Sequence, residues 1–294
     1  MNIQDFQIYA LSANFCFALA TIVFTHFTNK VSSSWMNFFK ASVAFLCFFI
    51  YINIFENWYM LDLKSFLLFF VSGFVGLGIG DYFLLKSFSV LGPGRTLMLF
   101  GFQPIFLGIM GKIFFDQDVD SSKLIAIIFF IGCLFTLSLE SFRKDKSWGF
   151  LGMSFALTGM ILDSSGVLLT RSAFDLNPGM SAMQGNFYRC LGAIVVYMIL
   201  SAYKPFGFFS SFRQFTQKEK AFVIGGSILG TFLSLSFYLK AIQTAHLASL
   251  SGLNITGTLF SSAFESVFLK KRPTKYLFIA LVFFVCGMYF LVGL

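Results

Sequence analysis

Apolar residues run through this chain in long blocks, separated by short polar stretches. The blocks fall at 7–27, 35–53, 65–86, 95–115, 122–140, 149–171, 183–202, 220–240, 247–269 and 275–293. A helix crossing the hydrocarbon layer of a bilayer needs about 20 predominantly apolar residues, and each block approaches that length. Within a block the apolar residues are continuous and lack the strict alternation of a barrel strand, so the pattern predicts helices. The expectation is an all-α integral membrane protein with about ten transmembrane helices. The longest polar connections, Asn53–Lys64 and Lys204–Glu219, are too short to fold independently. Any activity therefore belongs inside the bundle.

The pattern also repeats. Displacing the chain by 149 residues lays Asn37-Phe38-Phe39-Lys40 on Asn186-Phe187-Tyr188-Arg189, and carries Thr21 to Thr170, Ala44 to Ala193 and Asn14 to Asp163. A displacement of 154 lays Leu85-Lys86 on Leu239-Lys240, Gly76 on Gly230 and Phe106 on Phe260. The matches keep their order, which divides the chain into a first repeat, 1–145, and a second, 146–294. Each half then holds an odd number of helices, about five, so the second half enters the membrane from the opposite face. Inverted-topology repeats recur in secondary transporters, with the substrate site near the midplane at their interface. A duplication that serves stability alone is the other reading.

Composition agrees with lipid as the solvent. Of 294 residues, 57% are hydrophobic and 12% charged, where soluble domains carry roughly 25% charged residues. Forty-five Phe residues suit a lipid-facing surface and would be excessive on a wetted one. The net charge of +8 would suggest nucleic acid in a soluble protein. Here no basic run interleaves with aromatics in a polar context, so no nucleic-acid partner is expected, and the basic residues are read as setting orientation. Loops after the odd-numbered helices hold most of them, including Arg143, Lys144, Lys146 and Lys270-Lys271-Arg272. That bias puts these loops in the cytoplasm and both termini outside. Cys16, Cys47, Cys133, Cys190 and Cys286 lie singly in apolar runs and read as buried thiols. The first block has no basic lead-in and no clear small-residue cleavage site, so it reads as a retained helix.

Together these features resemble the drug/metabolite transporter superfamily, specifically its ten-helix EamA-like exporters. The resemblance rests on the inverted repeat, on a basic residue near the start of the second helix of each half (Lys40 and Arg189), and on the small-residue helix from Gly73 to Gly80 that leads to Gln103-Pro104. Asp116 fits the acidic residue with which that family often closes the fourth helix. In the second half Glu265 lies a few residues early, Lys270-Lys271-Arg272 holds the expected place, and Thr258 stands where Pro104 stands. The resemblance implies a secondary active transporter of small polar or amphipathic metabolites such as amino acids. It implies efflux across a cell inner membrane by alternating access around a central cavity, with both termini in the cytoplasm. That orientation opposes the charge bias, and both stay open. The implied partners are a small-molecule substrate, membrane lipids and a coupling proton, for a monomer or homodimer without a cofactor.

An ionisable side chain near the bilayer centre costs at least about 2.5 kcal/mol, and it faces a cavity or a partner. Asp163, midway along the sixth predicted helix, is the deepest acid, and Asn14 is its repeat counterpart. Both are expected to line the substrate cavity, with Asp163 holding an amine or the coupling proton. A hydrogen-bonded strut is the alternative. Asp81 follows Gly76, Gly78 and Gly80, which admit a close neighbouring helix. Its counterpart is Leu235, and packing or an interfacial position stands beside function. Lys40 and Arg189 either snorkel to the interface or serve as cationic gates or a carboxylate anchor, accompanied by Asn37 and Asn186. Gln103 precedes Pro104, whose ring frees a backbone carbonyl to face a cavity. Asn254 lies at comparable depth in the ninth helix. Trp35 and Phe100 are further lining candidates, while His26 and His246 read as polar helix termini.

Enzyme chemistry finds little support. Asp116-Gln117-Asp118-Val119-Asp120 begins like a calcium loop, but the required Gly does not follow and Ile127 sits where the closing Glu belongs. The sequence contains no HExxH, GxSxG or P-loop, so it is not expected to hydrolyse ATP and gradients are the expected energy source. A membrane-embedded enzyme acting on lipid-linked substrates, centred on the Asp116 loop, is one competing reading. A channel or accessory membrane subunit is the other.

Overall fold

The computed structural model describes residues 5–91, 93–117, 120–145, 150–254, 256–268 and 275–292, and among them the chain is helical with no strand. In chain order the helices are α1 (Asp5–Lys30), α2 (Ser33–Phe55) and α3 (Leu63–Leu91). Next come α4 (Pro93–Phe100), α5 (Gln103–Phe115), α6 (Ser121–Asp145) and α7 (Phe150–Leu176). Then α8 (Ala182–Tyr203), α9 (Phe208–Gln214) and α10 (Gln217–Thr244) continue the chain. The last are α11 (Leu247–Leu253), α12 (Thr256–Phe268) and α13 (Lys275–Val292). Six of these, α1, α2, α3, α7, α8 and α10, are long and apolar enough to cross a membrane. Shorter apolar helices occupy Gln103–Phe115, Leu124–Cys133 and Phe278–Gly287.

Polarity is inside out relative to a water-soluble bundle. Leu46, Ile50, Ile54, Ile109, Ile113, Phe278 and Val282 are exposed, while Asn37, Lys40, Gln103, Asn186 and Arg189 are buried. Lipid supplies no hydrogen bonds, so the polar side chains turn inward to find them.

Two of the expected helices are broken. The block 95–115 is split into α4 and α5 at Gly101-Phe102, and the block 247–269 into α11 and α12 at Asn254. Pro104 accounts for the first break. It lies in the first turn of α5, where its missing N–H is not needed. The second break has no proline. There the Asn254 amide donates to Leu250 O at 3.2 Å and Ser251 O at 3.1 Å, and Gly257 N donates to Asn254 O at 3.0 Å. Each block stays apolar on average across its break, which is why a continuous helix is expected from the sequence.

Helix starts obey the sequence repeat. Ser32 caps α2 by accepting from Trp35 N at 3.1 Å, and Ser181 caps α8 by accepting from Gln184 N at 3.2 Å. Asp62 accepts from Ser65 N at 3.2 Å to cap α3, and Thr216 accepts from Glu219 N at 3.3 Å to cap α10. Hydrogen bonds from Ser65 also hold the Asp62 carboxyl below the usual carboxylate range. The displacements that align the sequence carry Ser32 to Ser181 and Asp62 to Thr216. Each cap contributes about 1 kcal/mol.

The two long third helices of the halves, α3 and α10, also match. Their winding loosens to a π-helical pattern over Gly73–Gly80 and Ile228–Leu233, at equivalent positions. In α3 this segment packs between α7 and α8, and in α10 it packs against α1 and α2. Each is thus embedded in the opposite half of the chain. In α3 the packing is backbone to backbone. A Cβ on Gly73 would fall 1.8 Å from Arg189 O, and one on Gly192 would fall 2.1 Å from Phe70 O. Substitution of either by Ala is expected to cost about 1–3 kcal/mol of stability by overpacking. Gly225→Ala is the control, because nothing lies within 4 Å of its added methyl. Thermal unfolding in detergent reads both effects; a wild-type melting temperature for Gly73→Ala would contradict this packing.

Candidate functional site

A cavity of about 130 Å³ opens where the two broken helices meet α1, α2, α3, α7 and α10. Six of the polar residues singled out from the sequence line it: Asn14, Lys40, Asp81, Gln103, Asp163 and Asn254. Much of the remaining wall is apolar, with Phe17, Leu77, Leu84, Leu97, Phe100 and Leu235.

On one side Lys40 and Asp81 form an ion pair. Lys40 Nζ lies 2.5 Å from Asp81 Oδ2, and it sits 5.2 Å over the ring of Phe24. Lys40 is 3% exposed, so it does not snorkel. No pattern in the sequence links these two residues. Asn37 fixes the geometry by donating to Asp81 O at 3.0 Å, and its counterpart Asn186 donates to Leu235 O at 2.8 Å. Asp81 and Leu235 are themselves repeat counterparts, so the same bond is made twice and carries a charge in the first half alone.

On the other side runs a chain of amides. Gln103 Nε2 donates to Asp163 Oδ2 at 2.9 Å, and Asn254 Nδ2 donates to Gln103 Oε1 at 3.1 Å. Asn254 Nδ2 also lies 3.4 Å from the Tyr238 hydroxyl. Asn14 Nδ2 donates to Leu253 O and to Thr256 Oγ1, both at 3.0 Å. The counterparts Asn14 and Asp163 thus play matching parts. Asn14 holds the α11–α12 break from the first half, and Asp163 holds the α4–α5 break from the second.

Arg189 stands behind the cavity wall. It is 1% exposed, donates from Nε to Ser72 Oγ at 3.1 Å, and its Nη1 has no hydrogen-bond partner among the described residues. A Cβ on Gly76 would lie 3.8 Å from Arg189 Nη2 and 3.8 Å from the Asp163 Cα, so this glycine stands between the two. The guanidinium charge acts on Asp163 without touching it. Snorkelling is excluded here as well.

Trp35 does not line the cavity. It is fully buried, stacks on Phe39 and Phe208, and donates to Phe208 O at 3.0 Å. Phe100 does line it. Asp116 ends α5 in a left-handed conformation with φ 54° and is exposed. Gln117 beside it accepts from Leu247 N at 3.0 Å, joining the end of α5 to the start of α11. Asp118 and Val119 of the supposed calcium loop lie outside the described residues, as do Lys270, Lys271 and Arg272 and the side chain of Glu265. Thr231, Ser234 and Tyr238 line the cavity and do not stand out in the sequence. The displacement that relates α3 to α10 carries Leu77, Asp81 and Leu84 onto Thr231, Leu235 and Tyr238. Asp81 therefore also points to this face of α10.

These features define a multi-pass membrane protein with an internal cavity lined by both polar and apolar side chains. The chain belongs to the EamA-like transporter family, which it matches over residues 6–139 and again over 150–293. No curated protein matches it. Among solved structures, one described only as "Crystal structure of protein" superposes with a TM-score of 0.74, covering 97% of this chain and 94% of that one. At 12% identity the likeness is one of fold.

Lys40→Ala is expected to destabilise the protein by about 3–5 kcal/mol, because it strands the Asp81 charge. Removing both, as Lys40→Ala/Asp81→Ala, recovers a large part of that loss. Unfolding of the two single variants and the double variant forms a cycle, and strictly additive losses would show that the pair is not coupled.

Proposed function

We propose that this chain is a secondary active transporter of small polar or amphipathic metabolites, amino acids and related amines among them, working outward across the cell membrane. On this reading it has about ten spans, the broken pairs α4–α5 and α11–α12 each counting as one. They form two repeats, 1–145 and 146–294, inserted in opposite orientations. The observation that carries the proposal is the pair of helix breaks at equivalent positions, each facing the cavity and each held by the first helix of the opposite half. Interrupted helices in corresponding positions of two repeats are how carriers build a binding site at the midplane, since irregular backbone at that depth is tolerated only beside a cavity or inside protein.

Transport then proceeds by rocking of one set of helices against the other around the cavity. The amide chain from Asp163 through Gln103 to Asn254 crosses between the broken helices, so a substrate or proton arriving at Asp163 alters the bond that ties them together. A carboxylate that accepts either a proton or a substrate couples the two movements. The pathway lies within one chain, which suits function as a monomer or as each copy of a homodimer.

The test uses purified protein in liposomes. A panel of amino acids, nucleosides, sugars and amines is screened for thermal stabilisation, and each hit is tested for counterflow. At least one stabilising solute is expected to exchange. Asp163→Asn is expected to insert at normal abundance and to lose exchange or its pH dependence, and Lys40→Ala and Arg189→Ala are each expected to impair it. Exchange by Asp163→Asn at the wild-type rate and pH profile would remove Asp163 from the mechanism. Binding without any exchange would count against a carrier.

A further inference from the structure

We infer that the cavity takes the cationic head group of an amine at Asp163, with an apolar body against the Leu and Phe wall. The inference rests on the carrier reading only for the movement of the bound amine across the membrane.

Two carboxylates line the cavity, and they differ in what they already hold. Asp81 is matched by Lys40. Among the described residues Asp163 receives one neutral donor, the Gln103 amide, through Oδ2. Arg189 sends its field from behind but spends its Nε on Ser72. The cavity thus contains a carboxylate with unfilled acceptor capacity, in surroundings where an unmet charge is expensive. An ammonium group fills that capacity with charge-assisted hydrogen bonds, the strong kind. Phe17, Phe100 and Tyr238 line the same space, and aromatic rings attract cations.

The other side of the cavity sets the selectivity. A substrate carboxylate has one cation to seek there, Lys40, and to reach it must compete with Asp81. Success leaves Asp81 unpaired next to a second anion. A zwitterion therefore gains at Asp163 and loses at Lys40, and an acid has only the loss. A neutral sugar leaves Asp163 unmatched and meets an apolar wall. Among molecules with the same body, the order is amine, then amino acid, then acid.

Three probes sharing one ring test this order: 2-phenylethylamine, phenylalanine and 3-phenylpropanoate, each titrated calorimetrically into the purified protein. The amine is expected to bind at least tenfold tighter than phenylalanine, with the acid weakest. Asp163→Asn is expected to weaken amine binding at least tenfold and Asp163→Glu to retain it. Should the Asn variant not fold, the wild-type order decides. Phenylalanine or the acid binding as tightly as the amine overturns the inference, as does no amine binding at millimolar concentration, or amine affinity unchanged in a folded Asp163→Asn. Amine that binds but does not exchange across liposomes leaves the head-group assignment standing and removes the carrier reading. Exchange of phenylalanine or the acid without the amine does the reverse.

Discussion

Each first helix of this protein reaches across the molecule and holds a broken helix belonging to the other half. Asn14 does so through Leu253 O and Thr256, and Asp163 through Gln103. The constraint beneath this arrangement is that a broken helix exposes backbone carbonyls and amides that lipid cannot satisfy. The breaks survive because they face a cavity and polar side chains brought from elsewhere. Remove that exchange of hydrogen bonds and the cavity has neither its walls nor its chemistry.

Close backbone approach sets how accurately the exchange is made. With Gly73, Gly192 and Gly166 lacking Cβ atoms, α3 lies directly on the main chains of α8 and α7. The loosened winding over Gly73–Gly80 delivers Asp81 at the cavity edge, within reach of Lys40. Lys40 in turn has little freedom, because its stem is enclosed by helices and its ammonium is placed over Phe24. Small residues, altered winding and a buried ion pair are therefore one construction: close approach makes the pocket, and the pocket makes the charge pair tolerable.

Much of this was legible in the chain, and the limits have physical causes. The six long apolar helices were readable because lipid demands long apolar runs, and the repeat because caps, glycines and cavity residues recur at fixed displacements. Asn14 and Asp163 stood out as polar residues deep in apolar blocks. Gln103 stood out as well, but its pairing with Asp163 did not, nor did Thr256, because these partners lie in the opposite half and no local pattern relates residues so far apart. The break at Asn254 was hidden because the block stays apolar on average and carries no proline there. Lys40 and Arg189 looked alike in the sequence, each coming after Asn and two aromatics. The structure separates them through their surroundings: an acid stands opposite Lys40, and Ser72 opposite Arg189.

That separation is where the chemistry comes from. The frame is duplicated, since caps, loosened turns, breaks and the Asn37 and Asn186 bonds all occur twice. The side chains facing the cavity are not: Asn14 answers Asp163, Asp81 answers Leu235, and Leu84 answers Tyr238. On the carrier reading, a duplicated backbone has two packings of similar energy, one the mirror exchange of the other between halves, because an interaction broken in one half re-forms in its twin. A frame so balanced responds to small differences, and a few kcal/mol of differential binding shift such an equilibrium decisively. On the same reading, acids present in one half and absent at the matching position of the other supply that difference. On that reading symmetry accounts for the ability to change state, and the departures from symmetry, concentrated at Asp163 and at Lys40 with Asp81, account for what the change responds to.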